Sequence, residues 1–372
     1  MMDFNRSDLQ RMLLDSAERY IDERFTLEHR RDLRKTADGL DHEAWQVFAE
    51  LGWLAILVPE DMGGLSGSIT DASVLAEVLG KKCVTEPFIS SAIIAPTILA
   101  SSSGVPEGLM DELVAGNARF ALAHDEPNER YAYDQPRNCT VEKSGDGLTL
   151  TGQKMMVPDG PSATHLIVTA QSEQGLALVL VPADAALITL DAYALYDNSR
   201  AADIRFDGTA VPASAVLAEG ENARKLLSLA LDRARVIGQA QAIGSMEEEL
   251  EICSAYLKER EQFGQPIGKF QALQHIMADM FVEAHQSRSA CYHALSLLDG
   301  SHDESDRKHA VSLAGIRIAE AGQFVSRQAI QLHGGYGVTD EYEVSHHYRR
   351  QFVLEKMLGD MDYLTRRLSE AG

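Results

Sequence analysis

The chain has 372 residues, 45% apolar and 24% charged, with a mean hydropathy of -0.17, which is globular composition and excludes a mainly membrane-embedded or disordered polypeptide. At roughly 150 residues per domain this length implies two to three domains. A net charge of -22, with no basic run, argues against nucleic acid and anionic membrane as partners. Leu9, Met12, Leu13, Ala17, Tyr20 and Ile21 share one face at helical spacing. Asp41 is placed to cap a second helix through Trp45, Phe48 and Leu51, and Thr70 or Asp71 a third carrying Val74, Leu75 and Val78. Between them Val58-Pro59-Glu60-Asp61-Met62-Gly63-Gly64 reads as a loop. The longest mostly apolar stretch, Phe88 to Ala100, is interrupted by Ser90, Ser91 and Pro96; too short for a bilayer, it reads as a buried helix.

The pattern changes near Arg119. From there to about Val216, short segments such as Leu148 and Leu150, Leu166 to Val168 and Leu178 to Val181 are separated by turns such as Gly145-Asp146-Gly147. An antiparallel barrel or sandwich is the simplest expectation. Long helical patterns resume after Glu219, over Leu226 to Ile252 and onward, Phe270 to Leu298 and Arg307 to Leu332. The expected fold class is therefore α+β, with an α-helical domain over 1–117, a β domain over 118–218 and a helical domain over 219–372. Cys83, Cys139, Cys253 and Cys291, separated by 56, 114 and 38 residues, match neither a redox pair nor zinc ligands and read as buried free thiols. No basic segment followed by an apolar one opens the chain, so no signal peptide and a cytoplasmic site are expected.

Two strings carry chemistry. Arg260-Glu261-Gln262-Phe263-Gly264-Gln265-Pro266-Ile267-Gly268-Lys269-Phe270-Gln271 stands at the break between two helices, and Gln331-Leu332-His333-Gly334-Gly335-Tyr336-Gly337-Val338-Thr339 follows a third about 60 residues on. An arginine fork can make paired charge-assisted hydrogen bonds to a pyrophosphate, and glycines admit a close backbone approach. The plainer alternative is that Arg260 pairs with an acid and His333-Gly334-Gly335 only ends a helix. Together with the α, β, α order, Pro59-Glu60 to Gly64 and Leu150-Thr151-Gly152-Gln153-Lys154, these strings closely resemble the acyl-CoA dehydrogenase family of flavoproteins over essentially the whole chain. The resemblance implies a C-terminal four-helix bundle and FAD as cofactor. It further implies that Arg260, Phe263 and Gln271 meet the pyrophosphate and adenosine part of a flavin held by a neighbouring subunit, with Gln331, Gly334 and Gly335 lining its adenosine end.

Elsewhere the chain departs from that family. The Thr-Glu-Pro-Gly-Ala-Gly-Ser-Asp type loop that holds the flavin ring is here His124-Asp125-Glu126-Pro127-Asn128-Glu129-Arg130-Tyr131, without its glycines and hydroxyls. In the string after Gly-x-Lys, Met156 replaces a tryptophan and Pro158 a threonine, leaving neither N–H nor hydroxyl. A family base stands about 25 residues after the His-Gly-Gly string, where this chain has Leu358, or in a Leu-Asp-x-Glu-Arg string, where it has Ala234. No catalytic residue is therefore assigned. Glu355 and Asp360, near the first position, are read as solvated surface acids, and Glu341 and Asp232 as structural. His333, His346 and His347 are not read as metal ligands, since adjacent helical residues face different ways.

What the resemblance then implies is a non-catalytic subunit of a heteromeric α2β2 acyl-CoA dehydrogenase, with a catalytic partner subunit, an acyl-CoA substrate and an electron-transfer flavoprotein as partners. Two alternatives stay open: an active homotetramer with a displaced base, and a flavin-free acyl-CoA-binding or structural homologue.

Overall fold

The computed structural model describes residues 6–128, 131, 138–145, 147–300 and 303–370. Helices α1 (Asp8–Arg24), α2 (Leu27–Leu33), α3 (His42–Glu50), α4 (Ile69–Lys81), α5 (Ala95–Leu99) and α6 (Leu109–Val114) come first. Strands β1 (Phe120–Ala123), β2 (Thr140–Ser144), β3 (Gly147–Pro158), β4 (His165–Ser172), β5 (Gly175–Pro182), β6 (Ile188–Ala194), β7 (Arg200–Pro212) and β8 (Val216–Glu219) follow. The rest is α7 (Gly220–Glu259), a hairpin of β9 (Glu261–Gln262) and β10 (Gln265–Pro266), then α8 (Gln271–Asp299), α9 (Glu304–His333), α10 (Val344–Lys356) and α11 (Met361–Glu370). The chain falls into two compact units: a sheet unit of Asp32–Ser68 and Thr85–Ala234, and a helical unit of Met1–Arg31, Ile69–Val84 and Arg235–Gly372.

In the sheet unit, Asp41 caps α3 as expected, its carboxylate accepting from the N–H groups of Glu43 and Ala44. Phe88 to Ala100 forms the expected buried helix, with a π-helical turn over Ile89–Ile94 before α5. The eight strands form one sheet in the order β6-β7-β3-β2-β4-β5-β8, with β1 added on β4. The expectation of a purely antiparallel sheet needs correction: β1 runs parallel to β4 from Phe120↔His165 to Ala123↔Val168, and β2 meets β4 in parallel at Thr140↔Gln171. Neighbours joined by a tight hairpin must be antiparallel, but β4 reaches β1 only after β2 and β3, a connection long enough to bring the chain back in the same direction. Alternate residues, among them Leu150, Leu166, Val168, Val179, Ile204 and Phe206, build the core. Register breaks in β3 between Lys154 and Val157, where Met155 and Met156 bulge out.

In the helical unit, α4 is capped neither by Thr70 nor by Asp71. Asp299, at the end of α8, accepts from the N–H groups of Ile69 (2.9 Å) and Thr70 (3.2 Å), a cap supplied from far along the chain. Helices α4 and α7 cross backbone to backbone: a Cβ on Gly80 would lie 2.0 Å from the Gln241 carbonyl oxygen, and one on Gly244 1.9 Å from that of Glu77. Helix α7 also touches α10, where Gln351 donates to the Ala242 carbonyl (2.7 Å), and α9, where Gln239 donates to that of Val311 (3.1 Å). All four cysteines are buried free thiols.

Candidate cofactor site

The ends of α7 and α9 come together in the helical unit. Tyr256, one turn before Arg260, packs on His333 with ring centroids 4.3 Å apart, and His333 is the last residue of α9. Arg260 and the Gly334-Gly335 pair therefore leave the helical unit from neighbouring helix ends. Arg260, Phe263, Gln271, Gln331, Gly334 and Gly335 are all exposed. No acid pairs with Arg260: its guanidinium makes no hydrogen bond or ion pair within the described residues. A Cβ at Gly334 or Gly335 would meet nothing within 4 Å. Gly334 has a local reason to be glycine, since it ends α9 at φ +60°, whereas neither packing nor a left-handed backbone demands glycine at 335.

Between Arg260 and Gln271 the β9–β10 turn puts both central residues, Phe263 (φ 56°) and Gly264 (φ 79°), in the left-handed region. A two-residue hairpin favours that geometry, but a phenylalanine is a poor residue for it. The phenyl ring is 91% exposed. A guanidinium fork, a raised aromatic ring and open glycines suit the phosphates and base of a dinucleotide, so these residues fit the distal part of an FAD.

Residues 124–128 and 138–139, ahead of β2, lie in the sheet unit. Lys154, with a side chain 0% exposed, donates to the Glu126 carboxylate (2.7 Å, 1% exposed), the His124 carbonyl (3.1 Å) and Thr169 Oγ1 (3.1 Å). Glu126 also accepts from the N–H groups of Asn138 (2.8 Å) and Cys139 (3.1 Å). Burial would raise the Glu126 pKa, but the Lys154 charge and these hydrogen bonds hold it below the usual carboxylate range. At the bulge, Met156 (φ 47°) gives its N–H to Asp203, which also accepts the Tyr193 hydroxyl. Pro158 pairs with Ala201 and has no N–H to offer. With Lys154, Glu126 and Asp203 spent on internal partners and no N–H at Pro158, these residues do not fit a flavin ring; Glu129 and Arg130 lie outside the described residues.

At the base positions, Ala234 is fully buried, and the Leu358 carbonyl accepts from Arg235 Nε (2.8 Å). The surface reading of Glu355 and Asp360 is wrong. The Glu355 side chain is 3% exposed, held by Gln323 Nε2 (2.9 Å) and Lys356 Nζ (2.6 Å). Asp360 is buried and caps α11 by accepting from the Tyr363 N–H (2.9 Å). Gln323, 32 residues back on α9, holds Glu355 inward, whereas Asp360 is fixed locally by its cap on α11. Asp232 is buried, and Glu341 is exposed beside Arg31.

Each histidine has a structural partner: His333 Nδ1 donates to the Ala329 carbonyl, His346 meets that of Asp340, and His347 Nδ1 meets Ser245 Oγ. Burial lowers the pKa of all three, His346 to about 4. Among the described residues no cluster of three ligand-type side chains could hold a metal, and no helix is long and apolar enough to cross a membrane.

Residues 7–104 match the acyl-CoA dehydrogenase N-terminal domain and residues 225–372 the acyl-CoA dehydrogenase C-terminal domain, together more than half of the chain. The chain belongs to the acyl-CoA dehydrogenase family, whose members are FAD-dependent oxidoreductases, and has its α+β fold of N-terminal helices, central sheet and C-terminal helices. It is 27% identical over 382 residues to the acyl-CoA dehydrogenase FadE27 of Mycobacterium tuberculosis, covering 99% of each chain. Among solved structures it resembles the ChsE4-ChsE5 complex of Mycobacterium tuberculosis (TM-score 0.89, 26% identity, 99% and 98% coverage). A variant of the steroid acyl-CoA dehydrogenase Tcur3481-Tcur3483 is similar at TM-score 0.87 and 28% identity, with 97% of each chain covered.

Proposed function

We propose that this chain is the non-catalytic subunit of an α2β2 acyl-CoA dehydrogenase in the cytoplasm, built of domains 1–117, 118–218 and 219–372, and that the enzyme acts on the CoA thioester of a sterol side chain or another bulky acid. The observation that carries this reading is the contrast between the unpaired Arg260 beside open Gly334-Gly335 and a flavin-ring loop closed on its own Lys154-Glu126 pair, with no carboxylate at 358 or 234. Similarity to a steroid acyl-CoA dehydrogenase and to a two-protein complex supports it.

In this reading Arg260 donates two parallel hydrogen bonds to the pyrophosphate, Phe263 and Gln271 cover the adenosine part, and Gln331, Gly334 and Gly335 let backbone approach the adenosine end. The catalytic partner contributes the glutamate, the flavin-ring loop and the substrate pocket. The chemistry FAD supplies when bound is two-electron oxidation of the acyl α,β carbon–carbon bond, with the electrons leaving to an electron-transfer flavoprotein. The test is flavin absorbance per complex after gel filtration of the chain co-expressed with its partner. A charge-assisted bidentate contact is worth roughly 1.5–3 kcal/mol, so Arg260→Ala should lower FAD retention about 10- to 150-fold at unchanged complex size. Arg260→Lys should recover only part, because a point charge replaces a planar fork. Full flavin in a full-sized Arg260→Ala complex would end this reading.

A further inference from the structure

Gln241, Ser245, Glu249 and Cys253 repeat at every fourth residue of α7 and so share one helix face, and all four are buried. That face meets α9 and α10. Ser245 Oγ lies 2.8 Å from His347 Nδ1, Glu249 Oε2 3.3 Å from Ser326 Oγ, and Cys253 Sγ 4.0 Å from His333 Nδ1. Glu249 is completely buried, and its Oε1 has no hydrogen-bond partner. Ser326 Oγ lies 2.6 Å from the Gly322 carbonyl oxygen, the nearer acceptor for the one proton a hydroxyl carries. The contact between Ser326 and Glu249 is then a hydrogen bond only if the carboxyl is protonated and donates to Ser326 Oγ. Burial likewise pushes the Glu249 pKa well above the usual carboxylate range.

Two turns after Ser326 on the same helix stands His333. Its Nδ1–H donates to the Ala329 carbonyl (2.7 Å), Nε2 lies 3.2 Å from the Tyr342 hydroxyl, and burial lowers its pKa and so favours the neutral imidazole. The turn after it packs closely on His333 and the Ile330 backbone: a Cβ on Gly337 would fall 2.9 Å from His333 Cβ and 3.0 Å from the Ile330 carbonyl oxygen. We propose that Glu249, held in its protonated form, is a positioning residue for the Gln331–Gly335 segment, and that its ionisation parts α7 from α9 at Ser326, shifts the seat of His333 and weakens the grip on FAD. This rests on the cofactor role proposed above for that segment.

The titratable groups that the Glu249 charge reaches are Cys253 on α7 and Cys83 after α4, while His347 on α10 faces Ser245 one turn before the acid and His333 ends α9 two turns beyond Ser326. Burial raises both thiols, with the Glu249 charge adding to the effect; Arg30 and Arg350 act on Cys83, and Arg30 on His347. A folded-state pKa above that of the unfolded chain gives stability that is complete below the unfolded value and is lost as pH rises through the folded one. The device therefore opens on the alkaline side, with at most about a tenfold change per pH unit for one proton.

The experiment follows the co-expressed complex from pH 6 to 9.5 as wild type, Glu249→Gln and Glu249→Leu, reading FAD retention and hydrogen exchange of residues 331–338 in the same samples. A glutamine amide can donate to Ser326 as the neutral acid does, so Glu249→Gln should keep its flavin and its protected turn while the wild type loses both as pH rises. Leucine cannot donate, so Glu249→Leu should hold FAD severalfold less well at every pH, without the alkaline slope. If the difference between wild type and Glu249→Gln does not grow with pH in either reading, the proposal is overturned. An Arg260→Ala complex in the same series separates the two ideas: full flavin there breaks the cofactor role, while exchange of 331–338 still decides whether Glu249 sets the turn.

Discussion

At the ends of α7 and α9 a guanidinium and two glycines face outward with no side-chain partner among the described residues, whereas at β3 a lysine, a glutamate and a threonine complete one another inside the sheet unit. Both regions are rich in polar groups, yet the Arg260 guanidinium keeps its hydrogen-bonding capacity for something outside the chain, whereas Lys154 and Glu126 spend theirs on each other and on the sheet unit. A charged side chain retained without an internal partner adds little to folding, so its reason lies in what it meets. A buried and saturated pair is a folding element, because breaking one partner strands the other charge. On the function proposed above, Arg260 and the glycines are the half offered to another polypeptide, and the Lys154-Glu126 pair is the half withdrawn into the sheet unit.

The largest expected effect is on catalysis. On the proposed reading, in which Leu358 and Ala234 stand where relatives would carry a base, the chain purified alone should dehydrogenate no acyl-CoA, since losing a general base costs a factor of about 100 to 10,000. Neither Leu358→Glu nor Ala234→Glu should restore turnover. The withdrawn loop is unchanged by either, and position 234 is dry enough that a carboxylate there would be costly. Turnover of about 1 per second or more by the pure chain or by either variant, measured with an artificial electron acceptor, would show that the withdrawn half still works.

The withdrawn half can be broken directly. Lys154→Met should destabilise the chain by about 3–5 kcal/mol in urea unfolding, because it leaves Glu126 buried without its cation. Glu126→Gln should cost less, since an amide oxygen can still accept an N–H from Asn138 or Cys139. The depressed Glu126 pKa makes this contribution present above the unfolded carboxylate range and lost as pH falls through the folded value. An acid-side loss equal in wild type and Glu126→Gln would remove the pair from the account of stability.

A second buried acid in the sheet unit has the opposite sign. Glu86 accepts from the Thr85 N–H at Oε2 but has no partner at Oε1, and burial, with the Asp41 charge adding to it, raises its pKa to about 8. Its stabilising proton is held below the unfolded value of 4.5 and lost as pH rises through about 8. Glu86→Gln should therefore gain on the wild type as pH rises, by roughly 2–4 kcal/mol at pH 9 relative to pH 5. Parallel urea curves at the two pH values would contradict this.

How much of this was legible in the sequence follows from how far apart the partners are. The α3 cap, the buried Phe88–Ala100 helix and the α, β, α order rest on neighbours within a few residues, and the free thiols on their spacing. The strings at Arg260 and Gln331 were legible as strings, and the structure adds that they are exposed, unpaired and carried by neighbouring helix ends. What escaped depends on distant partners: Asp299 capping α4, β1 lying parallel to β4, Gln323 drawing Glu355 inward, and Ser326 facing Glu249. Local pattern carries no signal for such contacts, although a polar residue at every fourth position of α7 is a periodicity that could have marked the Glu249 row.

The smallest effect sharpens the outward half. Phe263 holds a left-handed backbone at the tip of the β9–β10 turn with its ring almost wholly in solvent, in a place where the hairpin favours glycine or asparagine over phenylalanine. Glycine adopts that conformation without the steric cost, so Phe263→Gly should leave the unfolding free energy of the chain unchanged or slightly raised, by about 1 kcal/mol at most, as read from urea unfolding. If the ring is kept for the adenosine of a partner-held flavin, the same change should weaken FAD retention by the complex a few-fold, in keeping with roughly 0.5–1.5 kcal/mol for an aromatic contact. The two readings move in opposite directions, which a role in folding alone does not allow. Should Phe263→Gly gain stability and keep all its flavin, the exposed ring serves neither purpose, and the outward half shrinks to Arg260 and the glycines.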